Sequence, residues 1–234
     1  MGIPPARRIC TGDVVAYGAD GPGCVALIRQ SGGAVLAGNC EIQLAADAAD
    51  CGCGYGQGSA CAVLARDSYA HARAGLDAAA RGWMAGLPRR IVFTHAGRRY
   101  AVLHGGASDV SRFIWPDTGD DVFEHEIRLL QAGIGAVDGV VAGHCGIAFR
   151  RRVAGIDWIN AGVIGLPPHD GHRATRFAVL DGDAPRIERL DYDAEAAAAE
   201  MCAAGLTQGY DAALLSGWWP SEDTLPPGLR RYVD

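Results

Sequence analysis

The sequence predicts one α/β domain, and three observations carry that expectation. Short β-type apolar runs alternate with amphipathic helical stretches along most of the 234 residues. No internal repeat and no Pro/Ser-rich linker marks a domain boundary, so residues 1–234 read as a single unit. A hydrophobic content of 49% against 21% charged is enough to bury one sizeable core in a chain of this length.

The elements follow in order. Arg8-Ile9-Cys10 leads into Thr11-Gly12-Asp13, and Pro22 to Gln30 is a helix with proline in its first turn. A strand from Ala34 to Ala37 ends in Gly38-Asn39-Cys40-Glu41. The stretch from Cys51 to Gly58 is too rich in glycine to hold regular structure cheaply and is expected to be a loop. Apolar spacing from Ala65 to Leu87 fits one helix or a helical pair, which Pro88 ends. Ile91 to Thr94 and Arg99 to Leu103 form a hairpin around Ala96-Gly97, and its second strand runs into His104-Gly105-Gly106. Phe123 to Gln131 is helical, and the apolar strand Gly139 to Ala142 delivers Gly143-His144-Cys145-Gly146. A second hairpin carries Trp158-Ile159 into Asn160-Ala161-Gly162. A third joins Thr175 to Leu180 with Arg186 to Leu190 across Asp181-Gly182-Asp183, before a helix from Ala194 to Ala203 and a proline-rich tail.

Composition excludes several classes of chemistry. All 21 basic residues are arginine, so there is no phosphate-loop lysine and no Schiff-base lysine. A formal charge of −6 argues against nucleic acid as the default partner. No run of about 18 apolar residues exists and the first residues lack the apolar segment of a secretion signal, so a cytoplasmic protein without a membrane segment is expected. In that compartment the eight cysteines are expected to be thiols, metal ligands or small buried apolar groups.

Five of the strands end in short polar loops, at Gly12-Asp13, Gly38-Asn39, His104-Gly105, Gly143-His144 and Asn160-Ala161-Gly162. Strand ends are where α/β folds build sites. Glycine lets the backbone turn sharply, while Asp, Asn and His offer oxygen and nitrogen ligands suited to Mn, Fe or Zn. In order and spacing these blocks resemble those of the calcineurin-like metallophosphoesterases, particularly the small single-domain bacterial branch, over nearly the whole chain. That family runs Asp-x-His, Gly-Asp, Gly-Asn-His, His-Gly, Gly-His-x-His and Asn-Pro-Gly. The resemblance implies a four-layer α/β/β/α sandwich and hydrolysis of a phosphate mono- or diester by a metal-bound hydroxide. It matches Asp13, Asn39, His104 and His144 to one complete ligand set for a divalent transition metal, and it implies a small phosphorylated substrate.

Three departures accompany the resemblance. The Asp-x-His block is absent, which implies a sandwich short of its first strand and helix, with a gap or exposed edge in its central sheet that a homodimer could cover. The second histidine of Gly-His-x-His is Gly146, and the histidine after Gly-Asn is Cys40. By position Cys40 takes the catalytic place of that histidine. The expectation is therefore at least one ion and a one-metal hydrolase, with a degenerate phosphate-binding or regulatory protein of the same fold as the alternative. Arg112, after the His104 block, is expected to hold phosphate bidentately, and His169 to border the substrate. Cys51, Cys53 and Cys61 are expected in a glycine-rich cover with inward-packed thiols, a redox pair or a minor metal site being the alternatives.

Overall fold

In the computed structural model of the chain, residues 2–56, 58–182 and 184–231 are described; Gln57 of the glycine-rich loop and Asp183 of the third hairpin turn lie outside them. Strands β1 (Ile9–Cys10) and β2 (Ala34–Val35) pair in parallel across helix α1 (Gly21–Ser31). The Asp20 carboxylate caps α1 by accepting the Gly23 N–H at 2.8 Å, Pro22 sits in its first turn, and Gly32 ends it in the left-handed conformation. Helix α2 (Asn39–Ala45) begins directly after the Gly38 turn. The long amphipathic stretch is a helical pair, α3 (Ala60–Gly75) and α4 (Ala78–Ala85), because Asp77 starts a new helix by accepting the Ala80 N–H at 2.7 Å.

A five-stranded sheet follows, built from β3 (Ile91–His95), β4 (Arg98–Val102), β5 (Gly139–Ala142), β6 (Phe149–Val153) and β7 (Ile156–Asn160) in the order β3-β4-β5-β7-β6. Its hairpins turn on Ala96-Gly97 and Ala154-Gly155, each with both residues at positive φ, the geometry that matches strand twist. The three central strands β4, β5 and β7 are parallel, so their C-terminal ends gather on one side. Helix α5 (Asp120–Ile134) crosses between β4 and β5.

Strand residues alternate between faces, and the core follows that alternation. Leu103, Val140, Ala142 and Trp158 join one cluster with α5, α6 (Ala194–Ala203) and α7 (Tyr210–Ser216). Tyr100, Val102, Val141 and Ile159 point the other way, onto Leu36 after β2 and onto the hairpin of β8 (Thr175–Asp181) and β9 (Ala184–Leu190). Val25, Leu44, Tyr69, Ala72 and Met84 knit α1 to α4 into a third cluster. The layers are α5–α7, the five-stranded sheet, β1–β2 with β8–β9, and α1–α4. Among the described residues the second β layer is in two pieces, since β1–β2 and β8–β9 share no strand pairing. No helix among the described residues is long and apolar enough to cross a membrane.

Candidate metal centre

Four strand-end loops meet at one point. Asp13 follows β1, Asn39 opens α2 after β2, His104 follows β4 and His144 follows β5. Two of these residues are held in the left-handed region, Asp13 at φ 58° and His144 at φ 62°, with Tyr17 at φ 71° in the same loop as Asp13. Non-glycine residues persist in that region only where the surroundings over-determine them, and such positions cluster at functional sites. The loops approach so closely that only glycine fits between them. A Cβ at Gly12 would overlap the Gly38 nitrogen, and one at Gly38 would overlap Asp13 Oδ1.

His104 Nε2 is the centre of the cluster. It lies 3.1 Å from Asn39 Oδ1, 3.1 Å from His144 Nδ1 and 3.2 Å from Asp13 Oδ2. Its other ring nitrogen, Nδ1, donates to the Thr11 carbonyl at 2.6 Å, so Nε2 faces the cluster. Donor atoms of Asp13, His104 and His144 all lie within 4.8 Å of one another. Asn39 and His104 are buried, Asp13 and His144 are partly buried, His144 Nε2 is buried without a hydrogen-bond partner, and donor atoms of all four face a common space. Such a set repels itself unless it encloses a positive charge.

The electrostatics agree with that requirement. Burial works against charge on His104, but the Asp13 carboxylate outweighs it and lifts the imidazole above its usual range. Burial likewise works against the Asp13 carboxylate, and His104 outweighs it, holding the carboxyl well below its usual range. His144 is pushed down to about 4 by burial and then by His104 beside it. The pair of imidazoles therefore favours one proton, on His104, over two. The donor chemistry, two imidazoles with a carboxylate and an amide oxygen, fits a divalent transition metal.

The supporting shell joins Asn160, whose loop the sequence pattern marked, to Glu41, Glu126 and Phe113, to which it gave no role. Glu41, fully buried at the third position of α2, accepts N–H bonds from Asp13 at 2.7 Å, Val14 at 2.8 Å and Gly38 at 2.8 Å. It locks the Gly-Asp loop to the Gly-Asn loop. A glutamate at the third position of a helix, reaching back to the residue before it, is a recognisable signature. Asn160 pins the His144 turn, donating to the Gly143 carbonyl at 2.6 Å and accepting the Gly162 N–H at 2.9 Å. Glu126, fully buried on α5, gathers the Ala107 and Ser108 N–H groups of the His104 loop at 2.6 and 2.9 Å. Phe113 packs its ring 4.4 Å from that of His144.

The remaining expected residues take different places. The Cys40 N–H donates to Asp13 Oδ1 at 3.0 Å, while its buried thiol is pushed well above its usual range by burial and by Asp13 and Glu41. Arg112 sits in the His104 loop with Nε 3.1 Å from Glu126 Oε1 and its side chain 39% exposed. His169 lies in the loop between β7 and β8. It is buried, accepts the Trp219 N–H on Nδ1 at 2.9 Å, faces Glu222 with Nε2 at 3.1 Å, and so holds the C-terminal tail. Cys51 and Cys53 are not free thiols but a disulfide, whereas Cys61 and Cys145 are free and buried. A cleft of about 30 Å³, room for one or two waters, opens onto Asp13 and His144 between Tyr17, Cys40, Cys53 and Tyr55.

No protein-family model and no curated protein sequence matches the chain. Solved structures do. A metallophosphoesterase from Sphaerobacter thermophilus superposes with a TM-score of 0.67 at 20% identity, covering 88% of this chain and 86% of its own. The fold is that of the metallophosphoesterases. A hypothetical protein, PH1004 from Pyrococcus horikoshii OT3, superposes with a TM-score of 0.71 at 15% identity, covering 89% of this chain and 84% of its own. On the metallophosphoesterase fold, the loops of this chain that converge at His104 are those at the C-terminal ends of parallel strands, where such sheets place their sites.

Proposed function

We propose that the chain hydrolyses a small phosphate mono- or diester in the cytoplasm, using one divalent transition metal, Mn, Fe or Zn, held by Asp13, Asn39, His104 and His144. The observation that carries the reading is the convergence of Asp13, Asn39 and His144 on His104 Nε2. When bound, the ion supplies a Lewis acid for the phosphoryl oxygen and lowers the pKa of water. The chain supplies the rest. Thr11 fixes the tautomer of His104, Cys40 and Glu41 orient Asp13 through backbone contacts, and Asn160 shapes the turn that presents His144. Arg112, tethered to Glu126, is the group in reach of solvent that would hold phosphate oxygens by charge-assisted hydrogen bonds.

Elemental analysis of the purified chain beside the Asp13→Ala/His144→Ala double variant, with hydrolysis of an aryl phosphodiester and an aryl phosphomonoester, tests the reading. The expected result is about one ion per chain, with metal and turnover both lost in the variant. Metal retention with tight phosphate binding and no turnover on either ester would instead establish a degenerate binding protein. No metal after Mn, Fe and Zn are each supplied would overturn the metal centre.

A further inference from the structure

The amide of Asn39 is held from behind by the Cys51–Cys53 disulfide. While Asn39 Oδ1 faces His104 Nε2, its Nδ2 donates to the Cys51 carbonyl at 2.9 Å and approaches Cys53 Sγ at 3.4 Å. The side chain is 1% exposed, so these partners lie out of bulk solvent. The disulfide closes a short ring in a loop that core packing of Cys51 and a few hydrogen bonds also hold. Gly52 and Gly54 both sit at positive φ, and the loop's tethers are Asp50, accepting the Gly52 N–H at 2.8 Å, and Ser111, donating to the Gly52 carbonyl. The two sulfurs also line the cleft that opens onto Asp13 and His144. Cys51 is buried in the helical core, and Cys53 is half-buried and within reach of a reagent.

We infer that the Cys51–Cys53 disulfide is a redox modification site that sets the affinity of the metal centre through Asn39. The inference rests on the proposed metal centre and adds its regulation. A dithiol reductant is the co-reactant. One of its thiolates attacks Cys53 Sγ, the S–S bond breaks and Cys51 leaves as a thiol. The second thiol of the reductant then displaces Cys53, so the protein gains two electrons and two protons and the reductant departs as a cyclic disulfide. With the ring open, the Cys51 carbonyl loses the constraint of the ring and the Cys53 sulfur is free to leave Asn39, so the amide is held less firmly toward His104 and its part in the donor set weakens. Loss of outer-shell support of this kind weakens metal binding about 10- to 100-fold.

The test is titration of the full chain with Mn²⁺, read as loss of the free-ion electron paramagnetic resonance signal, in the oxidised state and after reduction and removal of the dithiol. Mn²⁺ is the probe because thiolates are poor ligands for it, so the newly freed sulfurs do not mask the effect. Thiol titration of the denatured chain should count six in the oxidised state, the free cysteines, and eight on reduction. The expected result is an Mn²⁺ affinity lower by roughly 10- to 100-fold on reduction, restored by reoxidation. The Cys51→Ser/Cys53→Ser variant should bind like the reduced chain whatever the redox state. Asn39→Ala should bind weakly in both states, with no redox difference. Equal affinity in the two states of the native chain overturns the inference, as does a full redox effect surviving in Asn39→Ala, or a thiol count of eight that oxidation does not lower. An oxidised chain that binds neither Mn²⁺ nor Zn²⁺ overturns the metal centre itself, which separates the two failures. Reduction of the native chain needs no substitution, so a variant that fails to fold leaves this comparison intact.

Discussion

Glu41 shows why the candidate metal ligands cannot be considered apart from the backbone that presents them. Its carboxylate is the acceptor for three N–H groups, one buried and two partly buried, the latter two on the strained loop that carries Asp13. Glu41→Ala leaves those donors without partners, and an unmade buried hydrogen bond costs about 1–3 kcal/mol. The expected loss of unfolding free energy is at least about 3 kcal/mol by urea titration. A loss below about 1 kcal/mol would mean that water replaces the carboxylate and that Glu41 does not organise the site. Gly38→Ala separates positioning from stability. Its Cβ would collide with Asp13 Oδ1 and the Asp13 nitrogen while leaving the core clusters untouched. The expected outcome is a cooperatively folded chain whose metal content falls severalfold or more, checked by elemental analysis and circular dichroism. Full occupancy in Gly38→Ala would show that the two loops can part without losing the ion.

At the scale of elements, one carboxylate ties three strands together. Asp157 on β7 is fully buried and accepts from Arg98 on β4 at 2.7 Å and Arg150 on β6 at 2.9 Å. Burial alone would raise its pKa, but the hydrogen bonds from Arg98 and Arg150 outweigh burial and hold the carboxyl below its usual range. The folded chain therefore takes up this proton less readily than the unfolded chain. The stability involved is fully present above the unfolded aspartate value of about 3.9 and is lost as pH falls through the lower folded value. Asp157→Asn should lose about 1–3 kcal/mol at pH 7, less than a fully buried pair because both arginines reach solvent, and should lack that part of the acid limb. Denaturation midpoints measured against pH check both statements, and an unchanged acid limb would assign it to other carboxylates. The same ladder also marks what could be read from the sequence. Hairpins with an Ala-Gly turn, the all-apolar β5 and the glycines beside Asp13, Asn39, His104 and His144 each leave a local signature, so the strand-end residues that converge at His104 were legible. What was not legible depends on distant chain. His169 acquires its partners Trp219 and Glu222 only when the tail folds back across about 50 residues, and Cys51 meets Asn39 only because α2 turns the loop over the site. The long helical stretch splits at Asp77 through a capping hydrogen bond that apolar periodicity does not encode.

The molecule as a whole is a continuous sheet beside a divided one, and the candidate metal centre lies at their junction. Asp13 and Asn39 ride on the β1–β2 pair, whereas His104 and His144 ride on the five-stranded sheet. A two-stranded piece is marginal alone, so β1–β2 is held by the crossover helix α1, by Leu36 packing on the sheet, and by the contacts that meet at His104. An ion held by all four side chains would be a cross-link between the two pieces. Ligand binding confined to the folded state stabilises by RT ln(1 + [L]/Kd), about 2.7 kcal/mol at a hundredfold excess over Kd. That stabilisation should be spatially uneven. Without metal, the backbone amides of residues 9–14 and 34–41 should exchange with solvent faster than those of β4, β5 and β7, because they can open without breaching the main sheet. With metal, protection should rise most in those same segments and least in the β8–β9 hairpin, which lies in the same layer but supplies no ligand. Hydrogen exchange read by mass spectrometry, with and without saturating Mn²⁺, distinguishes this from uniform tightening of the fold. An equal gain in β8–β9 would show that the ion stabilises the molecule as one cooperative unit and that the division of the second layer has no energetic consequence.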